Sequence, residues 1–253
     1  MKQWFITRLV ALPGLLSAVA VTLPAVSVKA EAAIWLAGDS TMANYSPERY
    51  PQTGWGQVLK KFCKPGVEVK NHAAGGRSAK SFIDEKRWDH IQKGLKKGDY
   101  VFIQFGHNDQ KGDQARHTDP AGSYRDYLKK YIEDTRARGA YPVLVTSVAR
   151  RLVEKGNIVN SLGTYPQAMK EVAAETHTPV IDLNSISIRK FNELGPEKAK
   201  EVFLHFGPEK YPDNYPKGRE DDSHFSEYGA TLVAEMVVED AKKQNLPIAK
   251  LLQ

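Results

Sequence analysis

Two hydrophobic rhythms alternate along this 253-residue chain. Short, nearly continuous apolar runs occur at residues 34–37, 67–69, 100–105, 143–145 and 180–183. Runs of this kind suit strands covered on both faces, as in a parallel sheet. Between them, apolar residues recur at three- and four-residue spacing, which predicts helices over 55–62, 82–95, 123–138, 166–176 and 228–243. In 123–138, Tyr124, Tyr127, Leu128, Tyr131 and Ile132 share one face, and Gly139 follows as a stop signal. Strands alternating with helices predict an α/β domain built on a parallel sheet. Residues 150–162 and 197–220 fit neither rhythm and are expected as loops or short helices near the rim.

The first thirty residues have a different character. Lys2 and Arg8 precede an apolar stretch from Leu9 to Val28, and Val28-Lys29-Ala30 places small residues where a signal peptidase cuts. Residues 1–30 are therefore expected as a signal peptide, with residues 31–253 as one domain in a secreted or periplasmic protein. The competing reading is a retained membrane anchor, and Pro13, Gly14 and Pro24 interrupt the stretch it would need. Removal of Lys2, Arg8 and Lys29 takes the formal charge from +6 to +3. Basic residues are dispersed, so a nucleic-acid partner is not indicated; a mildly basic surface is compatible with an acidic polymer. Cys63 is the one cysteine, so no intrachain disulfide is expected, and it reads as a buried thiol in a helix. Nothing in the sequence indicates the oligomeric state.

In parallel α/β sheets ligands sit outside the carboxyl ends of the strands, and four polar segments fall at that edge. Gly38-Asp39-Ser40-Thr41-Met42 follows the first run and could present a serine hydroxyl near a helix N-terminus, or simply cap that helix. Asn71-His72-Ala73-Ala74-Gly75-Gly76-Arg77-Ser78 follows the second. Its glycines allow close backbone approach to a ligand, though an ordinary turn capped by Ser78 explains it equally well. Gly106-His107-Asn108-Asp109 follows the third, where Asn108 could donate to a developing oxyanion or serve as a turn residue. Asp221-Asp222-Ser223-His224 precedes the last helix; its spacing lets a carboxylate meet an imidazole, though taken alone it reads more readily as an acidic loop with an exposed histidine. No H-E-x-x-H or paired-cysteine pattern suggests a metal, and no cofactor is expected.

Taken together, these segments resemble the four sequence blocks of the SGNH, or GDSL, hydrolase family. The resemblance spans Ile34 to Glu239. Gly-Asp-Ser-Thr-Met, Gly54-Trp55-Gly56, Gly76-Arg77-Ser78 and Gly106-His107-Asn108-Asp109 are similar to the rhamnogalacturonan acetylesterase branch. The resemblance implies a flavodoxin-like three-layer α/β/α sandwich with a five-stranded parallel sheet. It implies a serine esterase that removes acetyl groups from a polysaccharide, with Ser40, His224 and Asp221 as the catalytic residues. The oxyanion hole it implies is made by Ser40, Gly76 and Asn108, with Gly75 as the alternative to Gly76 and Asp222 as the rival of Asp221. Trp55, Arg77 and His107 are candidate sugar contacts, and Arg150 and Arg151 could line an acidic groove. Other readings are an acetylesterase for xylan or another sugar, a lipase or thioesterase on the same scaffold, and a non-catalytic sugar-binding module. The polar segments 111–123 and 211–222 argue against an acyl-chain groove.

Overall fold

The computed structural model describes Met1 and residues 32–253; the expected leader, Met1 aside, lies outside the described residues. Nine strands occur in the described chain: β1 (Ile34–Gly38), β2 (Val69–Asn71), β3 (Tyr100–Gln104), β4 (Tyr141–Val145), β5 (Val153–Glu154), β6 (Asn157–Ile158), β7 (Val180–Ile181), β8 (Phe203–Phe206) and β9 (Arg219–Phe225). Five of them form one parallel sheet in the order β2-β1-β3-β4-β7. The remaining four make two antiparallel hairpins, β5–β6 and β8–β9. The helices are α1 (Trp55–Val58), α2 (Ala79–Asp84), α3 (Arg87–Gly94), α4 (Ser123–Ala137), α5 (Tyr165–Glu175), α6 (Leu183–Leu194) and α7 (Glu227–Lys243).

Strand periodicity explains the three layers. On β3, Tyr100 and Phe102 point into one core, while Val101 and Ile103 point into the other. The first core packs against α1, α6 and α7; the second packs against α2 to α5. Both faces of the central strands are buried, as their unbroken apolar runs require.

Four segments differ from expectation. The predicted helix over 82–95 is two helices. Ser78 and Ser81 form a reciprocal cap that starts α2 early, and Lys86, with φ 60°, breaks the run before α3. The run at 180–183 yields a strand of only two residues, because the Asp182 carboxylate accepts from the Ser185 N–H and starts α6. That helix was not expected: serines and β-branched isoleucines are indifferent helix formers, and burial of Leu183, Ser187 and Phe191 overrides them. Finally, 197–220 carries β8 and the start of β9, and 150–162 carries β5 and β6, so the rim in both segments is a hairpin and not a plain loop.

Candidate active site

The chain leaves β1 toward β2 on one side and pairs with β3 on the other, so the carboxyl ends of β1 and β3 flank the switch point of the sheet. Ser40 stands two residues past β1. Its turn is fixed from below by a buried chain of hydrogen bonds. The Asp39 carboxylate accepts from the Thr41 N–H (2.9 Å) and hydroxyl (2.8 Å). The Thr41 hydroxyl in turn accepts from Gln104 Nε2 (2.7 Å), and Gln104 Oε1 accepts from Trp55 Nε1 (2.9 Å). From the side, the Tyr45 hydroxyl donates to the Ser40 carbonyl at 2.8 Å. Burial pushes the Tyr45 phenol up to about 12, so it stays a donor at neutral pH.

His224 reaches this turn from the opposite end of the chain. Its Nε2 lies 3.0 Å from Ser40 Oγ, and its Nδ1 lies 2.8 Å from Asp221 Oδ2. Asp221 accepts three further hydrogen bonds, from the Ser223 N–H (2.9 Å), the His224 N–H (3.0 Å) and Arg219 (2.7 Å). Burial alone would raise the Asp221 pKa; the donors from His224 and Arg219 outweigh it and hold the carboxyl far below the usual range. An ionised Asp221 assigns the Nδ1 proton to His224, which leaves Nε2 as the acceptor for the Ser40 hydroxyl. The hairpin makes this approach possible. Leu204 pairs with Asp221 and Phe203 with Phe225, so residues 222–224 form an excursion out of the ladder. Asp222 faces elsewhere, held by His205 (2.7 Å) and Arg151 (3.0 Å).

Three potential donors lie on the turns that follow β1, β2 and β3. Among the described residues, the N–H groups of Ser40 and Gly76 have no acceptor in the protein. Gly76 has φ +80°, a conformation that favours glycine, and a Cβ placed on Gly75 would sit 3.7 Å from the Ser40 Cβ. Asn108 Nδ2 donates to the Arg77 carbonyl at 3.1 Å, and its second N–H remains for a ligand. The next residue secures the same turn: Asp109 accepts from the Ala79 N–H (3.0 Å) and from Thr118 (3.0 Å). Burial outweighs these two bonds and raises the Asp109 carboxyl to about 7.

The structure turns two of the three expected sugar contacts inward. Trp55 is fully buried, edge-on to Phe102, and its indole N–H terminates the chain that holds Thr41; it cannot stack on a sugar. His107 is also buried. Its Nε2–H donates to the Val148 carbonyl at 2.8 Å, its Nδ1 lies 3.8 Å from Asp39, and burial lowers its pKa to about 4. Its ring is thus a neutral brace and not a ligand contact. The Arg77 guanidinium is engaged by Glu85 (2.9 Å) and the Gly75 carbonyl (2.6 Å), which leaves it tied to the turn. Arg151 ties Asp222 to Pro196 and Glu197. Arg150 is half-buried, donates to the His107 carbonyl (3.2 Å), and feels Asp39 and Asp221. Sequence reasoning missed Tyr45, Gln104, Asp109 and Arg219. Gln104 had a visible signal, being the polar residue inside the apolar run at 100–105. Among the described residues, no group of three or more His, Cys, Asp or Glu side chains could hold a metal, and no helix is long and apolar enough to cross a membrane.

Comparison with known proteins adds to this geometry. A family model, the GDSL-like lipase/acylhydrolase family, matches residues 36–232. The chain is 45% identical over 216 residues to the rhamnogalacturonan acetylesterase RhgT of Bacillus subtilis, covering 85% of this chain and 91% of that protein. The solved structure of YxiM from Bacillus subtilis superposes with a TM-score of 0.73 at 28% identity, over 86% of this chain and 58% of that one. Axe2, an acetylxylan esterase from Geobacillus stearothermophilus, has a TM-score of 0.61 at 17% identity, over 84% of this chain and 95% of that one, a likeness of fold.

Proposed function

The chain belongs to the GDSL-like lipase/acylhydrolase family and is a carboxylic ester hydrolase of the carbohydrate-acetylesterase kind, and from that premise we propose that it deacetylates rhamnogalacturonan through Ser40, His224 and Asp221. The observation that carries the chemistry is the unbroken series Ser40 Oγ–His224 Nε2 and His224 Nδ1–Asp221, beside N–H groups with nothing else to bind. The likeness to RhgT over most of both chains supports the substrate.

In this reading, His224 takes the Ser40 proton as the oxygen attacks the acetyl carbonyl. Asp221 holds the ring and stabilises the imidazolium. The carbonyl oxygen, now negative, receives the N–H groups of Ser40 and Gly76 and the free N–H of Asn108. His224 then gives its proton to the departing sugar oxygen, which breaks the ester and leaves an acetyl group on Ser40. Water, deprotonated by the same histidine, attacks that acetyl group, and Ser40 leaves with the proton returned to it. The products are acetate and a free sugar hydroxyl.

The test is acetate release from acetylated rhamnogalacturonan set against acetylated xylan, with Ser40→Ala as the control. Faster release from rhamnogalacturonan, lost in the variant, is expected; preference for xylan would sink the substrate reading, and activity in the variant would sink the nucleophile. Export belongs to the same proposal. Protein recovered outside the cytoplasm should begin at Glu31, and N-terminal sequencing that finds Met1 there would refute cleavage.

A further inference from the structure

The hairpin that delivers His224 and Asp221 also forms one wall of a groove of about 600 Å³, separate from the Ser40 turn. Lys200, His205, Lys217, Arg219 and Glu220 supply its charged and titratable lining. Two of these are already engaged: Lys200 pairs with Glu197 at 2.6 Å, and His205 pairs with Asp222 at 2.7 Å. Lys217 is exposed and has no carboxylate partner among the described residues. Arg219 lines the groove and spends one nitrogen on Asp221 at 2.7 Å; a guanidinium has five donors, and its others have no partner among the described residues. Arg219 is therefore joined to the Ser40 hydroxyl by three hydrogen bonds, of 2.7, 2.8 and 3.0 Å, and the width of one imidazole.

We propose that Arg219 and Lys217 form a subsite for a uronate carboxylate of the sugar chain, placed beside the acetylated ring that meets Ser40. The inference rests on the rhamnogalacturonan reading, since the galacturonate rings of that polymer carry the carboxylates. Charge complementarity supports it: Lys217 has no acid partner among the described residues, Arg219 keeps donors beside those it gives to Asp221, and Glu220 is the one acid in the lining. Planar guanidinium geometry suits a carboxylate in particular. Because Arg219 also touches Asp221, it is a positioning residue as well, tying the sugar chain to the carboxylate that orients His224.

Unacetylated rhamnogalacturonan oligosaccharides provide the probe, used as inhibitors of p-nitrophenyl acetate hydrolysis. They should inhibit competitively, and chemical reduction of their carboxylates to alcohols should raise Ki about tenfold, the scale of one charge-assisted hydrogen bond. Lys217→Ala should shrink that difference several-fold, Arg219→Gln should abolish most of it, and Arg219→Lys should restore part. The difference should also fall as salt is added. Equal Ki values for acidic and reduced oligosaccharides, or a difference that survives both Lys217→Ala and Arg219→Gln, would overturn the subsite. The substrate reading fails separately: if acetylated rhamnogalacturonan releases no acetate while the acidic preference stands, the groove holds and the substrate assignment falls.

Discussion

The turn after β1 and the excursion at residues 222–224 deliver the two ends of one hydrogen-bonded series, and they are held by different means. Asp39, Thr41, Gln104 and Trp55 fix the Ser40 turn; all four are buried, and their hydrogen bonds run between the sheet and its core. Charged partners nearer the surface fix the His224 segment: Arg219 on Asp221, and Arg151 with His205 on Asp222. In the first region the cost of breaking a contact is set by desolvation, since an orphaned buried donor or acceptor costs about 1–3 kcal/mol. In the second, water and salt can substitute for a lost partner, and exposed pairs contribute about 0–1 kcal/mol. The proposed nucleophile thus sits on a buried scaffold, while its proposed base is carried on an arm whose outer supports respond to ionic conditions.

That contrast can be broken or sharpened by substitution, from large effects to small. Ser40→Ala should reduce turnover of an acetyl ester by about 10⁶-fold, and Asp221→Ala by about 10⁴-fold, when measured by initial rates. Asn108→Ala should cost about 10²–10³ in turnover with the fold intact by circular dichroism; a loss under tenfold would remove it from the oxyanion site.

Acid–base effects come next, and they oppose each other. His107 titrates near 4 when folded and near 6.5 when unfolded, so the unfolded chain binds more protons between those values and stability falls on acidification. A displacement of roughly 2.5 pH units corresponds to about 3 kcal/mol. Asp109 titrates near 7 when folded and near 3.8 when unfolded, so its contribution falls as pH rises through that window. Denaturant unfolding of Asp109→Asn should therefore show a steeper acid loss between pH 6.5 and 4 than the parent, and His107→Asn a shallower one. Identical slopes would contradict both assignments.

Gln104→Met should cost about 2 kcal/mol of stability by orphaning Trp55 Nε1, with the largest share in the unfolding free energy and a smaller one in turnover. Asp222→Ala should have the least effect, under about 1 kcal/mol, and that effect should shrink in high salt. A Gln104 variant as mild as the Asp222 one would erase the distinction between the two regions.

The same division marks what was legible in the chain. Strand runs, glycine turns and the residues at strand ends are local features, so the five-stranded sheet and the segments carrying Ser40, Gly76, Asn108 and His224 could be read directly. The family resemblance also favoured Asp221 over Asp222, and the hairpin's pairing register gives the physical reason. Contacts across the fold were not legible. Trp55 and His107 look like ligand contacts because aromatic and imidazole side chains sit among catalytic residues; only tertiary packing turns both inward. Arg219 escaped notice for the converse reason, as an arginine in a polar segment carries no periodic signal until the hairpin folds it against Asp221.

Ser40 and His224 are separated by 184 positions. During synthesis the proposed nucleophile leaves the ribosome long before its proposed base exists, so in that reading the hydroxyl passes through most of translation unactivated. In the proposed reaction, hydrolysis can begin only once the chain through His224 has folded against the Ser40 turn. On that reading, any nascent fragment ending short of His224, however well its sheet has formed, should be chemically silent toward cellular esters.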